Sequence, residues 1–300
     1  MPTQEKLAVL GGDQRQIYML RELRNDGWQA AAWGLGEAST DADWRPAVLG
    51  AQAVLLPLPA SEDGVRIRCP LQSGASLRFS VLLEALPPGV RLLGGRLPPL
   101  WLETAGARGI AVLDYMESEV LQLRNALPTA EGAILLAMQE LPVTLHGLPV
   151  AVVGYGRIGA LLAGKLRALG ADVTVCARRE SDRIRAGLQG MRATRILPGG
   201  AGELPCTLPQ GCRAVFNTVP CRILTEPVLA RLPADCLLLE LASAPGGFDP
   251  VCAARLGLRW LLAPALPGRL FPESAGAILA QTLSGLLRAG ETGPISDRKG

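Results

Sequence analysis

One βαβ segment constrains the fold of this chain more than any other feature of its sequence. Residues 151–180 read AVVGYGRIGALLAGKLRALGADVTVCARRE, with Gly154, Gly156 and Gly159 in a GxGxxG spacing between an apolar strand and a helix. In this arrangement the first glycine permits a tight turn, the second lets a diphosphate approach the backbone, and the third lets the helix pack closely. The segment predicts a doubly wound α/β domain that binds a dinucleotide. The alternative is a glycine-rich turn that binds nothing.

The diphosphate is expected to rest at the positive N-terminus of the helix that follows the glycines. The predicted cofactor loop consists of Gly154, Tyr155, Gly156, Arg157, Ile158 and Gly159.

The end of the second strand indicates which dinucleotide is bound. In NAD-binding domains an Asp or Glu near this position accepts hydrogen bonds from the ribose 2′-hydroxyl, whereas an Arg accommodates the 2′-phosphate of NADP. Here the strand ends in Arg178 and Arg179, and the usual carboxylate is missing. Because guanidinium groups bind phosphate through charge-assisted, bidentate hydrogen bonds, the sequence favours NADP over NAD. The alternative is that the two arginines only solvate a loop and that Glu180 partly neutralises them.

The rest of the chain has the pattern of two α/β domains. Short apolar runs alternate with helical stretches in both halves, which predicts parallel sheets with crossover helices on both faces. Three hundred residues are enough for two domains with separate cores. We therefore expect two Rossmann-like doubly wound domains with a cleft between them. The predicted boundaries are an N-terminal domain at 1–127 completed by a helix at 273–290, a connecting helix at 128–145 that starts at Pro128, and a dinucleotide-binding domain at 146–272.

Composition argues against several classes of function. The net charge is +3 and the cations are scattered, which does not suit a nucleic-acid groove. Seven cysteines without a CxxC pair and a single histidine offer no ligand set for a metal, and they fit reduced thiols in a cytosolic protein. We find no export signal and no uncharged apolar run of about 18 residues, so we expect a cytoplasmic protein without membrane contact.

Two later strand ends supply further candidate contacts. The segment VFNTVP ends a strand of the second domain, at the edge where open α/β sheets bind their ligands, and it suits contacts to the nicotinamide ribose. A simple strand-ending turn explains it equally well. The cofactor candidates in this segment are Asn217, Thr218, Val219 and Pro220.

The segment ELASAPGGFD ends another strand in small residues that would let a planar substrate ring lie close to the backbone. The substrate candidates there are Ser243, Gly246 and Gly247.

Several segments in order resemble one protein family. They are LAVLGGDQRQI, DYMESEVLQLRNALPTAEGAILLAMQELPVTLHG, VVGYGRIG, FNTVP, ELASAPGGFD and APALPGRLFPESAG, and together they resemble the A subunit of dipicolinate synthase. The likeness extends from about Leu7 to about Leu287 and is far more specific than the glycine motif. Two departures are the segment RLFPES, where the family has a more basic run, and the near absence of lysine.

The resemblance implies an enzyme of a spore-forming organism that oxidises dihydrodipicolinate to dipicolinate with NADP as hydride acceptor. It also implies that the chain works with a partner, a second and flavoprotein-like subunit. Whether the chain also forms a homo-oligomer is left open.

A cyclic dicarboxylate substrate requires cationic or N–H contacts. Arg15, just after the Gly-Gly-Asp turn that includes Asp13, is the first candidate for an anion contact, and Arg269 is the second. Thr129 and Glu131, at the expected start of the connecting helix, are candidate catalytic residues. The alternatives are that both arginines are ordinary surface residues and that Glu131 only complements the helix dipole.

Two other reactive residue types have structural explanations. His146, the single histidine, is expected at the C-terminus of the connecting helix, where its charge is favourable. Cys176 is expected to fill space at a strand end, because no base is available to activate it.

Two other functions fit the same domain plan. A D-2-hydroxyacid dehydrogenase shares the two domains and the glycine motif, but its chemistry needs an imidazole after the cofactor domain's later strands, and no histidine follows His146. The second alternative is a protein that binds NADP as a regulator or scaffold and catalyses nothing alone.

Overall fold

The structure is a computed structural model that describes residues 6–87, 89–197 and 205–289. The chain divides into two compact units, one formed by 1–125 with 271–300 and the other by 126–270. The strands are β1 (Lys6–Leu10), β2 (Gln29–Trp33), β3 (Ala53–Leu55), β4 (Arg91–Gly94), β5 (Ala111–Asp114), β6 (Pro149–Val153), β7 (Asp172–Ala177), β8 (Arg192–Arg195), β9 (Ala214–Asn217), β10 (Leu237–Glu240) and β11 (Arg259–Leu262). The helices are α1 (Gln14–Asn25), α2 (Trp44–Val48), α3 (Phe79–Ala85), α4 (Pro99–Ala107), α5 (Glu119–Glu140), α6 (Arg157–Ala168), α7 (Glu180–Leu188), α8 (Glu226–Leu229), α9 (Pro250–Arg255), α10 (Leu266–Leu270) and α11 (Pro272–Arg288).

The first unit is a parallel sheet covered by helices on both faces. Its described strands lie in the order β2-β1-β3-β4-β5. Alternate residues of β1 enter different cores: Leu7 and Val9 pack on one face, and Ala8 and Leu10 on the other. The C-terminal helix α11 packs closely against α1 in this unit, since a Cβ at Gly276 would lie 2.6 Å from the Arg15 carbonyl oxygen.

The second unit is also a parallel sheet with two apolar faces. Its described strands lie in the order β11-β10-β9-β6-β7-β8. Val150 and Val152 of β6 enter one core, and Ala151 and Val153 enter the other. The chain builds outward from β6 through β7 and β8 and then returns to place β9 on the other side of β6. The strand order therefore reverses between β6 and β9, and in folds of this type that reversal marks the ligand-binding crevice at the carboxyl ends of the strands. The expectation of two Rossmann-like, doubly wound α/β folds is confirmed.

The connecting helix differs from the sequence-based expectation. We expected a helix over 128–145 with Pro128 in its first turn, but α5 runs over Glu119–Glu140 with Pro128 inside it. An internal proline loses one backbone hydrogen bond and strains the preceding turn. The buried alanine face Ala130, Ala133 and Ala137, which packs into the core of the second unit, offsets that cost.

Candidate functional site

The glycine loop lies at the strand-order reversal of the second unit. Gly154 follows β6 directly, in a left-handed conformation with φ +98°. A Cβ at this position would collide with the hydroxyl of Thr218, and a Cβ at Gly159 would collide with the carbonyl oxygen of Gly154. Gly154 and Gly159 are therefore required by the packing of the protein itself: one permits the turn and the other the close approach of α6.

Gly156 is different from its two neighbours in the motif. Its φ of −79° and ψ of −161° are extended values that any residue adopts, and a Cβ built on it would meet no atom within 4 Å. Gly156 is also the N-cap of α6, whose first turn has no side-chain cap. The protein's own packing does not require glycine at 156, whereas an anion approaching the helix N-terminus does. A diphosphate fits this bare and positively polarised turn.

Thr218 supports the loop from the neighbouring strand end. Its hydroxyl donates a 2.8 Å hydrogen bond to the carbonyl of Val153, which also accepts the Thr218 N–H at 2.9 Å. The sequence suggested Thr218 as a ribose contact, but the structure commits its hydroxyl to the glycine turn. Tyr155 fixes the other side of the loop, because its largely buried ring extends its hydroxyl to within 3.2 Å of Gln189 Oε1 after α7.

Arg178 and Arg179 lie exposed at the carboxyl end of β7, with Arg179 at the N-cap of α7. In the described part of the chain neither guanidinium has a hydrogen bond or ion pair, and Glu180 forms no salt bridge with them. Arg183 binds the strand end itself, donating from Nη1 to the carbonyls of Ala177 (3.2 Å) and Arg178 (2.8 Å). Glu180 therefore does not neutralise these arginines within the described residues, and both guanidiniums are open to solvent or to an anionic ligand.

Arg195 adds a further cation at the same edge of the sheet. It ends β8 directly beside Ala177 of β7 in the parallel register, and it is exposed. Three arginines, Arg178, Arg179 and Arg195, therefore lie at the ends of β7 and β8, and Arg183 lies near the start of α7. Together they form a surface suited to a phosphate. This surface, which we call the arginine edge, consists of Arg178, Arg179, Arg183 and Arg195.

Asn217 requires a correction to the sequence-based interpretation. The sequence suggested a contact between Asn217 and the nicotinamide ribose, but its side chain is fully buried. Its Nδ2 donates to Glu240 Oε1 at 2.6 Å and to the Val219 carbonyl at 2.9 Å. Val219 is half-buried and Pro220 is exposed beyond it.

The segment after β10 requires a second correction. Gly246 and Gly247 were expected to lie against a planar ring, yet both are buried. A Cβ at Gly247 would collide with the side-chain amide of Asn217, and one at Gly246 would lie 3.0 Å from Glu240 Oε2. These glycines are therefore needed for packing around the buried Asn217 and Glu240. Ser243 in the same segment is exposed.

The first unit contains an ion pair between buried Arg15 and half-buried Asp13 at its own glycine turn. Asp13 caps α1, and Arg15 donates to both of its carboxylate oxygens, at 2.9 and 2.7 Å, and also to the Leu58 carbonyl. Arg68 contacts the same carboxylate at 3.1 Å. Burial alone would raise the pKa of Asp13, but hydrogen bonds and charge from Arg15, with the charge of Arg68, hold it below its usual 3.8.

That network changes the interpretation of Arg15 and Asp13. Arg15 was expected to offer an open anion contact, but it is only 7 % exposed and binds groups of its own unit. A carboxylate two residues earlier in the chain already satisfies its guanidinium, which the sequence pattern alone does not reveal.

The remaining candidates lie in the second unit. Glu131 forms a 2.9 Å salt bridge with Lys165 of α6, and Thr129 is half-buried on the preceding turn of α5. Arg269 lies in the short helix α10 and donates weakly to the Pro264 carbonyl at 3.4 Å. His146 lies in a turn beyond the end of α5, and its ring fills the space beside Gly170 at the end of α6.

Metal and thiol chemistry find little support among the described residues. Within them no group of three or more His, Cys, Asp or Glu side chains could hold a metal ion. Cys176 is fully buried, and the Thr194 hydroxyl donates to its sulfur at 3.2 Å. No helix in the described ranges is both long and apolar enough to cross a membrane.

Two doubly wound parallel sheets, one with a bare glycine turn at its strand-order reversal, define a protein with a dehydrogenase-like fold. Comparison with known proteins gives the family. The sequence-family model for the N-terminal domain of the dipicolinate synthase A subunit matches residues 6–116 of this chain. The A subunit of dipicolinate synthase from Bacillus subtilis is 33% identical over 297 residues, covering 96% of this chain and 97% of the relative. The crystal structure of the A subunit from Bacillus halodurans has a TM-score of 0.82 at 30% identity, over 96% of this chain and 99% of the other.

This chain belongs to the family of dipicolinate synthase A subunits. A more distant structure, D-lactate dehydrogenase from Escherichia coli, is 17% identical with a TM-score of 0.58 over 96% of this chain and 98% of its own. At that identity the likeness concerns the fold alone.

Proposed function

We propose that this chain is an NADP-dependent oxidoreductase that oxidises dihydrodipicolinate to dipicolinate, pyridine-2,6-dicarboxylate. The observation that carries the proposal is the contrast within the glycine motif: Gly154 and Gly159 are required by protein packing, whereas Gly156 is open at the N-cap of α6. Membership in the family of dipicolinate synthase A subunits supports the choice of heterocycle, and a place in spore formation is part of the proposal.

The residues that hold the dinucleotide are assigned by their positions around the sheet reversal. The backbone of the glycine loop, from Gly154 to Gly159, receives the diphosphate. Arg178 and Arg179 bind the 2′-phosphate, because two exposed guanidiniums without partners in the described residues provide charge-assisted donors at the strand end where that group belongs. NADP is therefore preferred to NAD.

The bound nicotinamide dinucleotide supplies a two-electron acceptor for hydride, and the other product of the oxidation is one proton. Aromatisation of the ring is favourable in itself, so orienting the substrate is the main task left to the protein. The chain's own groups proposed for that task are Arg269 and Ser243, both exposed, with Thr129 and Glu131 of α5. Asp13 and Arg15 are weaker candidates for orienting the substrate, because their charges already compensate each other.

The family name supports a partner for this chain. Because its relatives are named as one subunit of a synthase, we propose that the chain acts in the cytoplasm together with a second, flavoprotein-like subunit. The scaffold alternative shares that partner but lacks catalysis by this chain. The 2-hydroxyacid dehydrogenase alternative fits the fold, yet the chain has no histidine after His146 to move a hydroxyl proton.

Three measurements test the proposal. Isothermal titration of the purified chain with NADP⁺ and with NAD⁺ gives the cofactor preference, and tighter binding of NADP⁺ is expected. Formation of dipicolinate from freshly prepared dihydrodipicolinate, followed by ultraviolet absorbance with and without the partner subunit, gives the activity. Turnover by the isolated chain excludes the scaffold alternative. Oxidation of lactate or glycerate instead of the heterocycle contradicts the proposed substrate.

A further inference from the structure

A buried carboxylate lies at the carboxyl end of β10, beside the end of β9. Glu240 is 5 % exposed, and its register partner on β9 is Asn217, which is fully buried. The sequence alone assigned no role to Glu240. A glutamate that ends the otherwise apolar run LLLE is the signal that could have drawn attention to it.

Three groups donate hydrogen bonds to this carboxylate, and all three are uncharged. Oε1 accepts Asn217 Nδ2 at 2.6 Å and the Ala242 N–H at 3.0 Å, and Oε2 accepts the Gly247 N–H at 2.7 Å. No lysine or arginine pairs with Glu240 in the described parts of the chain. A buried carboxylate normally has a cationic partner, because burying a lone charge is costly. Glu240 has hydrogen bonds but no opposite charge.

The position of Glu240 relates it to one half of the dinucleotide. In doubly wound folds the cofactor lies across the strand-order reversal, one mononucleotide on each half of the sheet. The glycine loop and the arginine edge belong to the β6-β7-β8 half and suit the adenosine phosphates. Asn217 and Glu240 end strands of the β9-β10-β11 half. We therefore expect the nicotinamide to bind on that half of the sheet.

We propose that Glu240 is a positioning residue whose uncompensated negative charge, held by Asn217 at the nicotinamide half of the site, favours the oxidised cofactor over the reduced one. The oxidised nicotinamide ring is cationic and the reduced ring is neutral, so only the oxidised form gains from a nearby buried anion. This inference rests on the proposed function. The Glu240 carboxylate also has a structural role, because it accepts hydrogen bonds from the backbone N–H groups of Ala242 and Gly247. Asn217 in turn donates to the Val219 carbonyl.

The two roles of Glu240 predict different effects of substitution. If Glu240 only organised the loops, its replacement would weaken NADP⁺ and NADPH equally. If its charge acts on the ring, removal of the charge weakens NADP⁺ more than NADPH. The ratio of the two dissociation constants therefore separates the roles without any measurement of turnover.

The test is titration of wild type and Glu240→Gln with NADP⁺ and NADPH. We expect Glu240→Gln to shift the ratio toward NADPH by roughly fivefold or more. Glu240→Asp, which keeps the charge, is expected to hold the wild-type ratio even if both affinities fall. The control is Glu226→Gln, an exposed glutamate of the same unit paired with Arg255, which should leave the ratio unchanged.

An unchanged ratio in a folded Glu240→Gln protein overturns the inference. If circular dichroism shows that this variant does not fold, titrations of the wild-type protein test the inference instead. The inference requires that the wild-type ratio of the NADP⁺ and NADPH dissociation constants be insensitive to added salt, because a buried charge is poorly screened. A wild-type ratio that changes steeply with added salt overturns it. Failure of wild type to bind either form would instead contradict the proposed function.

Discussion

The Thr218 hydroxyl donates a 2.8 Å hydrogen bond to the Val153 carbonyl, joining the carboxyl ends of the two strands between which the strand order reverses. The same oxygen occupies the space that a Cβ at Gly154 would need. The glycine turn is therefore shaped from outside its own βαβ unit, by a residue more than sixty positions later in the sequence. A threonine in the VFNTVP segment thus belongs to the phosphate turn, although its sequence position suggested a ribose contact.

Replacing Thr218 tests this support. Thr218→Val keeps the shape but removes one hydrogen bond, so we expect a loss of about 1 kcal/mol in unfolding free energy and weaker NADP binding. Thr218→Ser, which retains the hydroxyl, should bind NADP like wild type. Thermal unfolding and titration measure the two effects. The control is Thr225→Val, since the Thr225 side chain makes no capping bond to α8. Equal losses in the serine and valine variants would contradict the role of the hydroxyl.

The glycines at 156 and 159 predict opposite outcomes for the same substitution. Gly156→Ala has an ordinary backbone conformation and open space, so its unfolding free energy should remain within about 1 kcal/mol of wild type. Its NADP affinity should fall at least tenfold, because the new methyl group lies in the diphosphate approach. Gly159→Ala must displace the Gly154 carbonyl and should lose about 1 to 3 kcal/mol of stability. Normal NADP binding by a folded Gly156→Ala protein would remove the main support for the proposed function.

The arginine edge predicts cofactor selectivity. Replacing Arg178 and Arg179 with Ala should weaken NADP by about 1 to 3 kcal/mol for each charge-assisted hydrogen bond removed and leave NAD binding nearly unchanged. Titrations with both cofactors measure this. The matched control is Arg192→Ala, an exposed arginine at the opposite end of β8 that pairs with Asp172 at 2.5 Å. An equal decrease in affinity for both cofactors would exclude a 2′-phosphate contact.

Much of the fold followed from local patterns in the sequence. The alternation of short apolar runs with helical stretches predicted the parallel sheets, and the fully apolar β6 indicated a strand covered on both faces. The short helices α2, α8 and α9 and the polar strand β8 escaped prediction, because their positions depend on tertiary packing and not on a clear hydrophobic period. The start of α5 was missed for a different reason: proline is favoured at a first turn, but buried packing of an alanine face allows it inside a helix.

Local sequence patterns predicted where the glycine loop and the arginines after β7 lie. The glycine spacing and the arginines after β7 are sequence-adjacent to the elements that position them. Long-range partners decided the rest: Asn217 faces Glu240, Gly247 makes room for Asn217, and Arg15 donates to the Leu58 carbonyl. Polar residues at strand ends can point toward a ligand or toward each other, and the sequence does not distinguish these directions.

The ion pair of Asp13 and Arg15 predicts how the first unit responds to acid. Because the folded-state pKa of Asp13 lies below its usual 3.8, its carboxylate contributes stability that is fully present above that pH and is lost as the pH falls through the lower, folded value. The unfolding free energy of the wild type should therefore decline below about pH 4. The unfolding free energy of Asp13→Asn should be lower than that of the wild type at pH 7 and should decline less steeply with falling pH.

Urea titrations from pH 6 to the acid limit of folding measure this dependence. Tryptophan fluorescence is the readout, because it can be restricted to the first unit. Trp28, Trp33, Trp44 and Trp101 belong to the first unit, and Trp260 can be replaced by Phe so that only those four contribute. Asp43→Asn, which removes an exposed carboxylate of the same unit, is the control and should retain the wild-type slope. A wild-type slope in Asp13→Asn would mean that other carboxylates carry the acid sensitivity and that the Asp13 and Arg15 charges contribute little to the folded unit.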